Sequence, residues 1–144
     1  MNVLCIKNPN KELDISSTEI RKKIGIVLGS LDNQLIGTTP ADDLAFPLEN
    51  LNYSKEEIEI KIKEISKYFD IENLLSNQNT KDITNSEKQQ VSLCSALITN
   101  PKILLLDNAF HELEPNVKEK ILHNLKKYKK EHKLTIIMVT QNIE

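Results

Sequence analysis

Ile103-Leu104-Leu105-Leu106 is an unbroken apolar run that stops on Asp107, inside the stretch from Lys102 to Pro115. A run this short, preceded by Pro101 and followed by a polar cluster, suits a strand buried on both faces of a parallel sheet. Asp107 then stands at the strand's carboxyl end, where open α/β sheets place their ligands. A hydrophobic strand delivering one carboxylate to that edge is how many nucleotide hydrolases hold magnesium. For a lone match the bland reading wins, because many strands end in Asp where a loop begins. The neighbouring segments decide.

Two further runs read as buried strands: Ile24 to Leu28, rich in β-branched residues, and Leu134 to Val139. Asn2 to Lys7 reads as an edge strand, broken by Asn8-Pro9-Asn10, and Ser16 to Lys23 as a short polar turn of helix. Gly29 to Thr39 is a loop. Thr39 caps a helix from Pro40 to about Leu51, which Pro47 should kink or shorten. Ser54 and Glu57 form a capping box for the next helix, with Ile58, Ile62, Ile65 and Phe69 on one face. Asp70 to Asn79 is a polar connection holding Leu74-Leu75. Thr84 and Glu87 form a second capping box, opening a helix through Ile98 with Val91, Cys94, Leu97 and Ile98 inward. After Pro115 a helix runs to about Lys130, with Val117, Ile121, Leu125 and Tyr128 inward. Its lysine-rich last turns suit the negative end of the helix dipole, a solvated helix end rather than a nucleic-acid patch. The order strand, helices, strand, helix, strand is an α/β layout with a helical insertion between its first two core strands.

A chain of 144 residues with net charge −2 fits one domain and carries no electrostatic footprint for nucleic acid. Aromatics are 4% of the chain and Trp is absent, which argues against base-stacking platforms. No segment is long and apolar enough to span a bilayer, and the polar N-terminus is no secretory signal, so a cytoplasmic setting is expected. Cys5 and Cys94 lie far apart and form no metal-ligand spacing, which favours reduced, buried thiols.

In that order, the segments resemble the ATP-binding subunits of ABC transporters, nearest to the energy-coupling-factor type that powers vitamin and metal-ion uptake. IRKKIGIV with LDNQLIGTTPADDLAFPLENL looks like the family's Q-loop strand and the start of its helical subdomain. ITNSEKQQVSLCSALITNPKILLLDNAFHELEP looks like its signature helix, Walker B strand and D-loop, and TIIMVTQNIE like its H-loop strand. The resemblance implies a partial P-loop NTPase fold, with a small, mainly parallel sheet and an inserted helical subdomain. It implies one truncated domain over 1–144. In it, 1–28 and 101–144 form the core, and 29–100 hold the Q-loop, helical subdomain and signature-like helix.

The resemblance also implies a site built from ATP and Mg2+, and most of its parts are altered. No G-x-x-x-x-G-K-[ST] phosphate loop occurs, and the only glycines are Gly25, Gly29 and Gly37. Without such a loop the β- and γ-phosphates lose their main cradle. The Q-loop Gln aligns with Gly29, which has no side chain to touch magnesium or water. The signature aligns with Ile83 to Glu87, where Asn85 and Ser86 replace glycines and Glu87 turns a negative charge toward a phosphate. The residues' own pattern reads there as a cap, Thr84 with Glu87. Asp107 remains as the magnesium-associated carboxylate. Asn108 replaces the Glu that acts as general base, and an amide cannot accept a proton near neutral pH. Glu114 stands for the D-loop Asp and Gln141 for the H-loop His.

Loss of a general base alone costs about 10²–10⁴-fold in rate, so the chain is expected not to hydrolyse ATP by itself. Three roles follow. It docks on a transmembrane subunit or an intact ATPase partner, at the inner face of the membrane, through the region Asp32 to Leu51. Or it is a non-catalytic interaction or regulatory scaffold. Or it is a piece of a split or decayed ATPase. The resemblance further implies a phosphate-loop strand beside Ile103–Asp107. Its absence would leave Leu104 and Leu106 at an uncovered edge, which predicts a homodimer or aggregation there.

Overall fold

The computed structural model describes residues 22–30, 35–76 and 79–140. The expected strand Asn2–Lys7, most of the Ser16–Lys23 turn, and Gln141 lie outside the described residues. Three strands form one parallel sheet in the order β1 (Ile24–Leu28), β2 (Ile103–Asp107), β3 (Thr135–Val139). Between β1 and β2 come α1 (Pro40–Glu49), α2 (Lys55–Tyr68), a 3₁₀ turn (Glu72–Leu75) and α3 (Asn85–Leu97). The helix α4 (Pro115–His132) crosses from β2 to β3 and runs two residues beyond Lys130.

The helix starts follow from local chemistry. Thr39, Ser54 and Thr84 each accept a bond from the backbone N–H three residues on. The carboxylates of Asp42, Glu57 and Glu87 in turn accept from the cap's own N–H. Each reciprocal pair satisfies two of the donors that a helix start leaves open. The box at Thr39 with Asp42 adds a partner that the sequence reading did not include.

α1 contains Pro47 and continues two residues past it to Glu49, short of the expected Leu51. Proline there lacks the N–H that would bond the carbonyl of Asp43. The Ser95 hydroxyl on α3 donates to that carbonyl at 3.0 Å. A tertiary partner therefore replaces the missing helical bond.

The sheet is covered on one face only among the described residues, which corrects the expectation of strands buried on both faces. Strand residues alternate between faces, and paired residues share one. Val27, Leu104 and Leu106 lie on the covered face and are essentially inaccessible. Helix α3 presses closely there: a Cβ on Gly25 would stand 2.5 Å from the Ala96 carbonyl oxygen. On the opposite face, Ile26, Leu105 and Ile137 form one row and Leu28, Asp107 and Val139 the next. Ile26, Leu28 and Val139 are exposed and Leu105 and Ile137 half-buried. β3 is likewise not a buried strand: none of its residues is fully covered, and among the described residues it has one neighbour. The uncovered edge is not at Leu104 and Leu106 either. Among the described residues β2 is the central strand, bonded on both sides, and the outer strands are β1 and β3.

Candidate functional site

The carboxyl ends of the three strands bring together Gly29, Asp107 and Asn108. Asp107 ends β2 and is exposed. Asn108 follows in the left-handed region at φ 49°, where Asn is tolerated better than most residues. Its N–H donates to the Val139 carbonyl at 2.9 Å, which ties the turn to β3. Its carbonyl accepts from His111 Nδ1 at 2.7 Å, and His111 Nε2 lies 3.1 Å from Glu112 Oε1. Gly29 leaves β1 directly against this turn. A Cβ there would stand 2.8 Å from the Asn108 oxygen and 3.1 Å from the Asp107 oxygen. Glycine at 29 is thus required by the close approach of two backbones.

The loop from Asn108 to Glu114 is anchored by Ala109, Phe110 and Leu113, all buried. Glu114 stands at the N-cap of α4 with no capping bond from its side chain. Thr84, Asn85, Ser86 and Glu87 lie on another element, the start of α3. There Glu87 Oε2 accepts the Thr84 N–H at 2.7 Å, so this carboxylate is engaged in capping its own helix. The two expected groups therefore sit on separate elements: the strand-end trio, and a closed cap at α3.

A link between them was not foreseen. Gln89, one turn into α3 and 1% exposed, donates from Nε2 to the Leu28 carbonyl at 3.3 Å, next to Gly29. The signal lay in the sequence: Gln89 shares a helical stripe with Leu93 and Leu97, both buried. A polar residue on a buried stripe asks for a partner. A second link joins the loop after Gly29 to the turn before Thr84. Thr80 donates from N and Oγ1 to the carbonyls of Thr38 and Gly37, at 2.9 and 3.0 Å. Asp43, buried in α1, accepts the N–H groups of Ile36 and Gly37 through Oδ1 at 2.7 and 2.9 Å.

Among the described residues no group of three His, Cys, Asp or Glu side chains could hold a metal ion. Asp107 offers one carboxylate, and magnesium demands an octahedron of oxygens. The donor set of the described residues does not by itself fit a nucleotide–magnesium centre. Beside the loop, Ile36 and Phe46 are exposed, at 72% and 47%, around a hollow lined also by Gly37, Asp42 and Glu49. No helix among the described residues is long and apolar enough to cross a membrane.

The ABC transporter family model matches residues 4–111. The chain is 36% identical over 126 residues to the energy-coupling factor transporter ATP-binding protein EcfA1 of Mycoplasmopsis synoviae, covering 88% of this chain and 47% of that protein. It is 31% identical over 140 residues to EcfA of Enterococcus faecium, covering 96% and 50%. It thus spans about half the length of these curated relatives. Among solved structures, cbiO1 of Clostridium perfringens, part of the ABC transporter complex cbiONQ, superposes with a TM-score of 0.76. The identity is 30%, and 86% of this chain and 49% of that one are covered. The ATP-binding cassette MJ0796, a dimer bound to ADP and phosphate, gives 0.73 at 29% identity, covering 85% and 53%.

Proposed function

The chain belongs to the ABC transporter ATP-binding family, and from that premise we propose an energy-coupling-factor-type subunit that does not hydrolyse ATP alone and acts by docking. The observation that carries this reading is Asn108. It follows the strand-end carboxylate Asp107, in the place the family gives to its general base, and its amide cannot take a proton from water. Gly29 supports it, since the backbone contact with Asn108 leaves no room for a side chain that could serve instead. ATP with Mg2+ is the cofactor pair the family implies; this chain's contribution to it is Asp107.

The docking half rests on the hollow at Ile36 and Phe46. Two exposed apolar side chains beside Asp42 and Glu49 suit a partner segment that presents apolar residues and a basic one. A transmembrane subunit is the partner the family implies, and docking on it would bring the protein to the inner face of the membrane. An intact ATPase subunit is the other.

The test is phosphate release by purified protein with Mg2+ and ATP, together with calorimetry of ATP alone and with an intact ATPase partner. The reading expects no turnover. Magnesium-dependent turnover that disappears in Asp107→Ala would overturn it.

A second reading is favoured by the open face of the sheet. A parallel sheet is ordinarily covered on both faces, and Ile26, Leu28 and Val139 are exposed here. The chain would then work joined to, or complemented by, a further ATPase segment that supplies the phosphate loop. ATP binding that appears only when such a segment is added would favour this reading over docking alone.

A further inference from the structure

Between α2 and α4 lies an open groove of about 620 Å³, floored by Ile65, Leu97 and Ile98. Its lining includes Asn100, just before β2, and His132, just before β3. In a parallel sheet those positions mark the amino edge, the pole opposite Asp107. The volume is within the range of small-molecule sites.

The walls specify a chemistry. Tyr128 stacks on His132 at 3.8 Å and 12°, and Tyr68 meets Tyr128 edge-on at 5.4 Å. The hydroxyls of both tyrosines are already used. Tyr68 donates to Glu131 at 2.9 Å, and Tyr128 contacts Asn100 Oδ1 at 2.9 Å and the Leu97 carbonyl at 3.2 Å. Tyr128 is itself buried behind this pair, so the ring surface left to a ligand is that of Tyr68 and His132, which favours a flat partner. The polar rim is basic. Lys127 Nζ lies 5.4 Å above the Tyr68 ring, and Lys61 and Lys67 stand on α2. Of the two lining acids, Glu131 is held by Tyr68 and faces Lys127, which leaves Glu64. Residues 115–133 carry seven lysines against two glutamates in a chain whose net charge is −2. Of these seven, Lys127 lines the groove, beside Lys61 and Lys67 of α2. Asn124, also in the lining, adds an amide that can donate or accept.

We propose that this groove binds a small planar aromatic anion, its ring against Tyr68 and His132, which Tyr128 backs from within, and its charge on Lys127 and the lysines of α2. The site is separate from the strand-end carboxylate, and the proposal does not depend on whether ATP is bound there.

The probe is 1-naphthoate, titrated into the isotope-labelled full chain while backbone amide shifts are followed. Saturable shifts are expected around Leu97–Asn100 and Asn124–His132. Lys127→Glu should weaken binding about tenfold, as should exchange of the carboxylate for the uncharged 1-naphthylmethanol. Asn124→Trp should fill the groove and abolish binding, with the remaining amide spectrum serving as the check on folding. The proposal is overturned if no saturable shifts occur, if they centre on Ile26, Leu105 and Ile137, or if the alcohol binds as well as the acid.

Discussion

Gly29 and Asn108 touch backbone to backbone where β1 and β2 end. A Cβ on Gly29 would lie 2.8 Å from the Asn108 oxygen and 3.0 Å from the Asn108 Cβ. Gly29→Gln, which the proposed function reads as putting back a lost glutamine, therefore forces two turns apart instead of adding a contact. The expected cost is about 1–3 kcal/mol, the usual range for overpacking. Urea unfolding of the variant and the parent measures it. An unchanged midpoint would show that the loop can step aside.

Asn108→Glu places a second carboxylate beside Asp107, at a price in backbone strain. The position has φ 49°, and a residue less tolerant of left-handed backbone loses about 1–2 kcal/mol there. Lower stability and no gain in phosphate release are expected. Appreciable turnover from this single change would mean that phosphate positioning is already in place, against the proposed role.

Ser95→Ala isolates the bond that lets α1 contain Pro47. Removing the hydroxyl leaves the Asp43 carbonyl without its 3.0 Å donor, a loss of about 1–3 kcal/mol for a buried acceptor. In a Pro47→Ala background the helix regains an N–H for that carbonyl, and the same substitution should cost much less. A double-mutant cycle reads the difference. Additive effects would refute the link between Pro47 and Ser95.

Tyr128 sets an alkaline limit on stability. Burial, with the Cys94 thiol nearby as a lesser cause, pushes its hydroxyl up to about 12, against about 10 in an unfolded chain. A raised pKa means that the folded state holds its proton more tightly. This contribution is intact below pH 10 and is lost as pH rises from 10 toward 12. Denaturation midpoints followed across that window should fall, and Tyr128→Phe should flatten the part of the slope that belongs to this group.

What the sequence made legible was local. The boxes at Ser54–Glu57 and Thr84–Glu87 need three residues of context, and both stand as expected. The stripe Ile58, Ile62, Ile65, Phe69 reads from helical spacing alone; three of its members are buried and Ile62 is half-buried against the core. Coverage of the strands was not legible, because an unbroken apolar run reads the same whether one face or two are packed. Ile103–Leu106 therefore looked fully buried, although its face shared with Ile26 is open. The partners of Pro47 and Gln89 were also out of reach. Ser95 and Leu28 lie 48 and 61 positions away, and only the packing of α3 brings them close. At the site, the residue types at 29, 107 and 108 were readable, but the reason for glycine at 29 required the second backbone.

The open face carries the last prediction, and it moves the expected self-association from the edge of β2 to the surface beside it. Ile26, Leu105 and Ile137 lie in register across all three strands, with Leu28 and Val139 in the adjoining row. Exposed apolar area of this kind drives association, because water gains when it is covered. Light scattering should therefore find the isolated chain larger than a monomer at high concentration. Ile26→Lys places a charge at the centre of β1 on a residue already 52% exposed, so folding loses little while association loses its driving force. The variant should shift toward monomer with an unchanged far-ultraviolet circular dichroism spectrum. A clean monomer in the parent protein would mean that something within the chain already covers Ile26, Leu105 and Ile137. An associated parent that Ile26→Lys leaves unchanged would instead direct attention to the outer edge of β3.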